Sequence, residues 1–407
     1  MSAWPPTESL PQEGGELVFA GVRLSRLADS AGRTPFYAYS RSAMAERIAT
    51  LRRHLPSGVH VHYAMKANPM PAVVAHMARL VDGIDVASQR EMRIALDAGM
   101  AAEHISFAGP GKSSAELGSA IAAGIGINLE SDAELSRVAA IAGERGYRAR
   151  VAVRVNPDFE LRASGMKMGG GAKQFGVDAE QVPALLQRMR DLPVEFLGFH
   201  IFSGSQNLRA AAITEAQEKT VALAIRLAEY APAPVRLLNI GGGFGIPYFP
   251  GDEPLDIAAV GAAMTAIAAS ARNALPQASI TVELGRYLVG EAGIYVCRVI
   301  ERKLSRGQVF LVTDGGLHHH LAASGNFGQI LRKNYPVVIG DKLSQSTHAG
   351  ASVVGPLCTP LDLLGDRMEL AHAEAGDLVV LFQSGAYGYS ASPHGFLSHP
   401  PPLELLV

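Results

Sequence analysis

The chain has 407 residues, 48% of them hydrophobic and 18% charged, which is typical of a folded protein with one large core or two domains. The formal net charge is −2 and no long run of like charges occurs, so nothing indicates a nucleic-acid or anionic-membrane partner. Cys297 and Cys358 are too few for a disulfide framework, and neither a long apolar run nor a basic-then-apolar leader is present, so we expect a cytoplasmic protein.

The first forty residues are predicted to form an arm and strands that join a β domain later in the chain. Residues 1–15 are rich in proline and glycine, which is typical of a loose segment. Short apolar segments follow at 17–20 and 35–38. A helix is then predicted over 42–54, where the main pattern of the chain begins.

Strands and helices alternate regularly beyond this point. Apolar strands are predicted at 59–66, 82–87, 104–108, 125–129, 149–155, 195–202, 236–240 and 279–284. Several of the intervening stretches open with serine and acidic residues, as helix starts do. The alternation predicts an α/β fold, a (βα)8 TIM-type barrel over 41–286, although a doubly wound open sheet fits the same pattern. Short strands without long helices then predict a mostly β C-terminal domain over 287–407.

The segment His60–Pro69 ends the first of these strands and contains a single lysine, Lys66. At strand period Lys66 shares the less apolar face with His62 and Ala64, and the strand stops just before the proline. Lys66 is therefore predicted at the carboxyl end of a barrel strand, where barrel enzymes place their sites. An ordinary solvated lysine at a strand end would have the same local sequence.

Polar or glycine-rich groups end five other predicted strands: Asp85 with Ser88, Arg154 to Asn156, Ser203 to Gln206, Gly241 to Gly243, and Glu283 to Arg286. Backbone amides of a glycine loop can cradle a phosphate because no side chain blocks their approach. The groups on the last three strands therefore predict a phosphate site, although a triple glycine also fits a plain tight turn. The sequence GGGFG lacks the G-x-G-x-x-G spacing of a dinucleotide fingerprint.

A lysine, a phosphate site and a nearby carboxylate are the set of groups that pyridoxal phosphate (PLP) needs. The lysine forms a Schiff base, and the carboxylate keeps the ring nitrogen protonated so that the ring accepts electrons. Glu283 is the candidate carboxylate. Alternatively, Glu283 forms a salt bridge with Arg154 or Arg286 at the barrel rim.

Eight motifs, in this order, make the chain resemble the fold-type III PLP-dependent decarboxylases, which include the bacterial diaminopimelate, ornithine and arginine decarboxylases. The motifs are YAMKANP, GIDVAS, RVNP, GFHIFSGSQ, NIGGGFG, ELGRY, VVGPLCTPLD and SGAYG, and the resemblance covers roughly residues 35–407. It implies an alanine-racemase-like barrel with a β domain. It also implies a head-to-tail homodimer whose active sites are built by both subunits.

Matched motif by motif, the resemblance gives roles to particular residues. Lys66 would carry PLP, Glu283 would face the ring nitrogen, and Cys358 would come from the second subunit and donate a proton to the substrate α-carbon. His200 completes the implied catalytic set. The implied cofactor-binding residues are Lys66, Asp85, Arg154, His200, Phe202 and Glu283, with Ser205, Gly242, Gly243, Gly285, Arg286 and Tyr387 at the phosphate. The substrate candidates are Cys358, Thr359, Asp362 and Phe396.

Two departures from the family pattern concern the cofactor ring and the substrate. In the diaminopimelate enzymes a histidine stacks on the ring; here Phe202 stands at that position, so either Phe202 stacks or His200 shifts to do so. Relatives that act on basic amino acids carry an acid after the motif cysteine, whereas Thr359 cannot neutralise a distal ammonium. Free lysine, ornithine and arginine are therefore disfavoured. The RPALY-type segment is also absent, which disfavours diaminopimelate, although Asp362 could still reach a distal amine.

We therefore predict a PLP-dependent α-decarboxylase of an amino acid or aminoacyl substrate without a strongly recognised distal ammonium. The alternatives are decarboxylation of a glutamyl group on a carrier protein, and diaminopimelate decarboxylation. The stretches GFHIFSGSQNLR and LHHHLAASGNFGQ are most similar to decarboxylases encoded with exosortase A systems. An amino-acid racemase would place arginine at the ring nitrogen, and a non-catalytic relative would not need Lys66, Glu283 and Cys358 together. Segment 164–176 fits a mobile lid or an ordinary surface loop, and 318–320 is predicted to be rim structure, not a metal site.

Overall fold

The computed structural model describes residues 9–159, 166–167, 169–329 and 331–407, which form two compact units. The barrel unit consists of Arg47–Ile246 and Pro254–Tyr287. The β unit consists of the other described residues, including the short segment Pro247–Glu253. None of the described helices combines the length and the apolar character that a membrane span needs.

The strands follow one another along the whole chain. In chain order they are β1 (Gln12–Glu13), β2 (Glu16–Phe19), β3 (Val22–Arg23), β4 (Phe36–Tyr39), β5 (Val59–Ala64), β6 (Gly83–Val86), β7 (Ile105–Phe107), β8 (Gly126–Leu129), β9 (Ala149–Asn156), β10 (Met166–Lys167), β11 (Val177–Asp178), β12 (Val194–Ile201), β13 (Gly204–Ser205), β14 (Leu237–Gly242), β15 (Ser279–Leu284), β16 (Gly293–Ser305), β17 (Gln308–Thr313), β18 (Val337–Ile339), β19 (His348–Val354), β20 (Leu363–Ala371), β21 (Leu378–Leu381) and β22 (Leu403–Leu406).

The helices are concentrated in the barrel unit. They are α1 (Leu24–Ala31), α2 (Arg41–His54), α3 (Pro71–Met77), α4 (Gln89–Asp97), α5 (Ser114–Ala123), α6 (Asp132–Arg145), α7 (Val182–Met189), α8 (Ala210–Ala228), α9 (Ile257–Ala274) and α10 (Arg286–Val289). Three of them begin as predicted, with a serine whose side chain accepts a hydrogen bond from the amide of an acidic residue three positions later. These pairs are Ser88–Glu91, Ser113–Glu116 and Ser131–Glu134.

Eight parallel strands close the barrel, which confirms the predicted fold and excludes the open sheet. The order is β5, β6, β7, β8, β9, β12, β14 and β15, and β15 pairs back onto β5 with Glu283 opposite His62. The central residues of these strands are buried, as expected of strands that have helices outside and side chains packed inside. Parallel closure brings the carboxyl ends of all eight strands to one rim.

The first barrel strand is shorter than predicted, and this changes the setting of Lys66. β5 ends at Ala64, and Met65–Ala67 form one turn of 3₁₀ helix, which is closed by a hydrogen bond from Asn68 N to Met65 O. The alternation predicted that Lys66 shares a strand face with His62. This prediction is wrong, because Lys66 lies beyond the end of the strand. It lies on a turn at the barrel rim, and its side chain is exposed.

The β unit joins distant parts of the chain. β4 pairs with β16 on one side and with β22 on the other, so Tyr39 lies opposite both Gly293 and Leu406. The larger sheet continues in the order β18, β21, β16, β17, β19 and β20. Leu17 of β2 is buried in the same core as Phe36, Val296 and Val380.

The two compact units do not follow simple sequence boundaries such as the predicted 1–40, 41–286 and 287–407. Pro247–Glu253 lies between two barrel strands in sequence but belongs to the β unit. There, Gln383 Nε2 donates to Pro247 O (2.9 Å), and the rings of Tyr248 and Tyr335 pack with centroids 4.9 Å apart. These local contacts account for its place in the β unit.

Candidate active site

Lys66 lies beside an open cavity at the carboxyl rim of the barrel. The cavity has a volume of about 350 Å³, which is within the range of small-molecule sites. Its wall is formed by Lys66, Ala87, Phe107, Ala108, Gly109, Pro110, Gly111, Lys112, Glu116, Arg154 and Phe175. Lys66 Nζ also lies 5.9 Å from the centroid of the Phe202 ring. The lysine is thus next to space for a ligand and near an aromatic face.

Glu283 and His200 form a buried pair on strands β15 and β12, which lie on either side of β14 in the barrel. His200 Nε2 lies 3.0 Å from Glu283 Oε2. Burial raises the pKa of Glu283, but the hydrogen bond and charge of His200, together with the charges of Lys66 and Arg154, outweigh burial and lower this pKa to about 2. The ion pair of Glu283 is thus with His200, whereas Arg154, one of the two alternatives raised above, pairs with Glu130.

The phosphate residues predicted in the barrel lie where backbones approach one another closely. A Cβ added to Gly243 would lie 2.2 Å from Gly204 O, and one added to Gly242 would lie 2.2 Å from Glu283 O. Only glycine fits at these two positions, and Gly243 also has a positive φ of 72°. A Cβ on Gly285 would lie 3.0 Å from Ala64 O. Gly242 and Gly243 are nevertheless partly exposed beside Ser205. We call this stretch of partly exposed backbone the glycine cradle, since backbone amides without side chains can bind a phosphate group.

Asp85 forms a second buried pair, with His62 on the adjacent strand β5. Asp85 Oδ1 lies 3.3 Å from His62 Nδ1. Burial lowers the pKa of His62, but the charge and hydrogen bond of Asp85 and the charge of Glu283 outweigh burial, so this pKa is raised overall. Asp85 Oδ2 is buried and has no hydrogen-bond partner among the described residues, so it is left as an acceptor at this rim.

Several cavity residues were missed by sequence reasoning. Phe175 packs on the Arg154 guanidinium, which lies 4.9 Å from its ring centroid. Lys112 lines the same wall and forms a buried ion pair with Glu134. Glu130 supports the wall through its buried ion pair with Arg154. The stretch FAGPGK (107–112) has a glycine-rich signal that could have been found, since it directly follows β7.

The remaining predicted residues belong to the β unit. Cys358 is exposed, Thr359 Oγ1 accepts a hydrogen bond from Leu361 N (3.3 Å), and Phe396 is 43% exposed. Tyr387 has a φ of 60°, and its ring centroid lies 6.1 Å from that of Phe327.

Two other features singled out in the sequence are the predicted lid and the run of three histidines. The predicted lid, 164–176, lies partly outside the described residues; its described end carries Phe175. His318–His320 are buried in a turn of the β unit, and no group of side chains suited to a metal occurs in the described part of the chain.

Comparison with known proteins identifies the family. The family model "Pyridoxal-dependent decarboxylase, pyridoxal binding domain" matches residues 41–290. The chain is 38% identical to L-glutamyl-[BtrI acyl-carrier protein] decarboxylase from Niallia circulans, over 92% of this chain and 88% of that protein. It is 33% identical to diaminopimelate decarboxylase from Aquifex aeolicus, over 98% and 92% of the two chains.

A solved structure shows the same fold. Diaminopimelate decarboxylase from Helicobacter pylori complexed with L-lysine superposes with a TM-score of 0.82 and 27% identity, covering 94% of each chain. The lysine, the buried carboxylate and the glycine cradle described above fit the cofactor that gives this family its name. The chain belongs to the PLP-dependent decarboxylases and is a PLP-dependent carboxy-lyase.

Proposed function

We propose that this enzyme removes the α-carboxyl group of an amino acid or aminoacyl substrate whose far end carries no ammonium group. The observation that carries this proposal is the setting of Asp362, an acid three residues after Thr359 that could have bound such a cation. Its Oδ1 accepts from Leu317 N (2.6 Å) and its Oδ2 accepts from Leu357 N (2.8 Å). The side chain is only 3% exposed.

The surroundings of Asp362 also hold its carboxylate in place. A Cβ added to Gly316 or Gly355 would lie 2.1 or 2.3 Å from its carboxylate oxygens, so backbone closes around the group. Burial raises the pKa of Asp362, while its two backbone hydrogen bonds oppose the rise. The carboxylate thus ties the loop of Cys358 to the loop of Leu317, which differs from the substrate contact predicted above. A distal ammonium would face the neutral Thr359, and an unpaired buried cation costs several kcal/mol.

A carrier-bound substrate satisfies this requirement best. The relative at 38% identity is named for a glutamyl group on an acyl-carrier protein. An α-decarboxylase needs the α-carboxylate free to leave as CO2, so a tethered glutamyl group must be attached through its side-chain carboxyl. Such a substrate has no charged amine at the far end. The likeness to exosortase-associated decarboxylases stays a prediction.

The residues at the rim divide the work of the reaction. PLP, when bound, supplies the electron sink for the carbanion that remains after CO2 leaves. Lys66 supplies the amine that attaches the cofactor. The ionised Glu283 would hold a proton at the ring nitrogen, and His200 orients the carboxylate of Glu283. Phe202 lies near Lys66 and supplies an aromatic face for the ring. Ser205 and Gly243 belong to the phosphate cradle, with Gly242, Gly285 and Arg286.

We further propose that the active form is a homodimer in which Cys358 of one subunit protonates the α-carbon in the other. Support comes from the exposed thiol of Cys358 and from exposed apolar side chains on the β unit. They include Phe327, Leu331, Leu361, Phe396 and Leu397. Sedimentation of the purified enzyme should give a dimer, and mixing Lys66→Ala with Cys358→Ala protein should restore activity that neither variant has alone.

Diaminopimelate decarboxylation is the second candidate, since the Aquifex aeolicus enzyme of that name is 33% identical over nearly the whole chain. A racemase is disfavoured because the carboxylate of Glu283 is held ionised where a racemase would place an arginine. The deciding experiment measures CO2 release from free amino acids, diaminopimelate and glutamyl carrier protein. We expect the carrier-bound or another neutral-ended substrate to have the highest kcat/KM. Lysine or ornithine as best substrate would overturn the proposal.

A further inference from the structure

Glu130 is a buried carboxylate that directly follows strand β8, behind the wall of the Lys66 cavity. It is 7% exposed and both of its oxygens accept hydrogen bonds. Oε1 accepts from Arg154 Nη1 (2.8 Å) and from Gly109 N (2.6 Å), and Oε2 accepts from Gly176 N (3.2 Å). One side chain therefore holds three segments that are far apart in sequence.

Each of these segments contributes to the cavity wall. Gly109 and Arg154 line the cavity directly, and Gly176 follows Phe175, which also lines it. Gly176 is confined, since its φ is 76° and an added Cβ would lie 2.8 Å from Asn156 N. Phe175 packs on the face of the Arg154 guanidinium. Glu130 thus binds the edge of the same guanidinium whose face Phe175 covers.

The neighbouring carboxylate, Glu134, cannot take over this role because it is already paired with Lys112. Lys112 Nζ lies 2.9 Å from Glu134 Oε1 and donates to Gly109 O (2.6 Å). Arg154 is 8% exposed, so removal of the Glu130 charge would leave a buried cation with no carboxylate partner among the described residues. A buried guanidinium in that state would turn toward water and away from the wall.

We propose that Glu130 is a positioning residue that sets the direction of the Arg154 guanidinium. In this way it shapes the wall that receives PLP and substrate beside Lys66. It acts through Arg154 and does not touch the reacting atoms. This inference rests on the PLP site in the proposed function.

The test is a double-mutant cycle read out as the dissociation constant of PLP from the apoprotein, followed by visible absorption. We expect Glu130→Gln and Arg154→Met each to weaken PLP binding about tenfold or more, as loss of a charged hydrogen bond does. The double variant should bind PLP within about twofold of Arg154→Met alone, because the partner through which Glu130 acts is already gone. Additive losses, or unchanged PLP binding in Glu130→Gln, would overturn the proposal.

Glu16→Gln is the matched control. Glu16 is also 7% exposed and pairs with an arginine, Arg23 (2.8 Å), and with the amide of Ser25, but it belongs to the β unit. It should lower the melting temperature and leave PLP affinity within about twofold of wild type. If Glu130→Gln does not fold, Glu130→Asp keeps the charge, and Phe175→Leu removes the other support of Arg154; both should weaken PLP binding less than Arg154→Met. If wild-type protein bound no PLP, the proposed function would fail instead.

Discussion

His200 Nε2 lies 3.0 Å from Glu283 Oε2, with both side chains buried on barrel strands that have β14 between them. The pair explains how a buried carboxylate stays ionised at neutral pH, because the charge and hydrogen bond of His200 outweigh the cost of burial and lower the pKa of Glu283 to about 2. A carboxylate of this kind keeps a proton on a nearby ring nitrogen. In the proposed function the histidine would therefore serve the cofactor through Glu283.

Replacement of Glu283 by glutamine should separate charge from shape. Glu283→Gln keeps the size of the side chain but removes the negative charge, so we expect kcat to fall about a hundredfold or more, as loss of a preorganised electrostatic partner does. Glu283→Asp, which keeps the charge, should lose less. The measurement is the initial rate of CO2 release with saturating PLP. Glutamine protein that keeps most of its activity would show that the charge of Glu283 is not needed.

The glycine cradle offers a matched pair of substitutions. Gly243 and Gly146 have φ values of 72° and 68°, but an added Cβ meets Gly204 O at 2.2 Å in the first case and nothing within 4 Å in the second. Both alanine variants carry backbone strain of about 1 kcal/mol or more. Only Gly243→Ala should weaken PLP binding, by about tenfold or more, in an apoprotein titration. Equal PLP affinities in the two variants would show that Gly243 does not contribute to a phosphate site.

Substrate preference should change when an acid is placed after Cys358. Thr359→Asp supplies a carboxylate for a distal ammonium, and a charged hydrogen bond contributes about 1.5–3 kcal/mol. We therefore expect the ratio of kcat/KM for lysine to that for the best neutral-ended substrate to rise about tenfold or more. Thr359→Ser is the control and should leave the ratio unchanged. An unchanged ratio in Thr359→Asp would place the distal end of the substrate elsewhere.

The buried histidines His318, His319 and His320 should make the protein sensitive to acid. Burial, with the neighbouring histidines for the first two, lowers their pKa values to about 4, 3 and 3. Below pH of about 6.5 the unfolded chain takes up protons that the folded chain does not, so the free energy of unfolding falls as pH drops from about 6.5 toward 4.

One substitution isolates this effect. Both ring nitrogens of His318 lack a hydrogen-bond partner among the described residues, so His318→Leu should cost little at neutral pH. Between pH 8 and pH 5 the variant should lose about 2 kcal/mol less unfolding free energy than wild type. Urea unfolding at the two pH values measures this, and pH 8, where the histidines are neutral in both states, is the control. Equal losses would mean that His318 becomes protonated in the folded protein as easily as in the unfolded chain.

The barrel was predictable because its signals are local. Each strand is a short apolar run, and caps such as Ser113 and Ser131 mark the helix starts that separate the strands. The placement of Lys66, Glu283 and Gly243 at the barrel rim followed from the predicted barrel, because closure brings the carboxyl ends of all eight strands to one rim. What local pattern could not predict are pairings across the rim. The contact of Glu130 with Arg154 joins different strand ends, and a carboxylate of this kind resembles any helix-start acid in sequence.

Two further features depend on backbone contacts that the local sequence does not reveal. The turn that removes Lys66 from its strand is closed by one backbone hydrogen bond from Asn68, which no alternation of side chains records. Asp362 looked available to a substrate because it follows the cysteine motif. Its actual partners, Leu317 N and Leu357 N, include a backbone amide more than forty positions away.

The pairing of β4 with β22 also has a consequence for how the protein is made. Phe36 lies opposite Leu403, more than 360 residues later in the sequence, so this sheet cannot be completed until β22 has been synthesised. The barrel strands are all synthesised before that moment and can close first. Until β22 arrives, one edge of β4 remains unpaired and able to bind another strand. A truncation that removes β22 would therefore act on solubility during synthesis before it acted on catalysis.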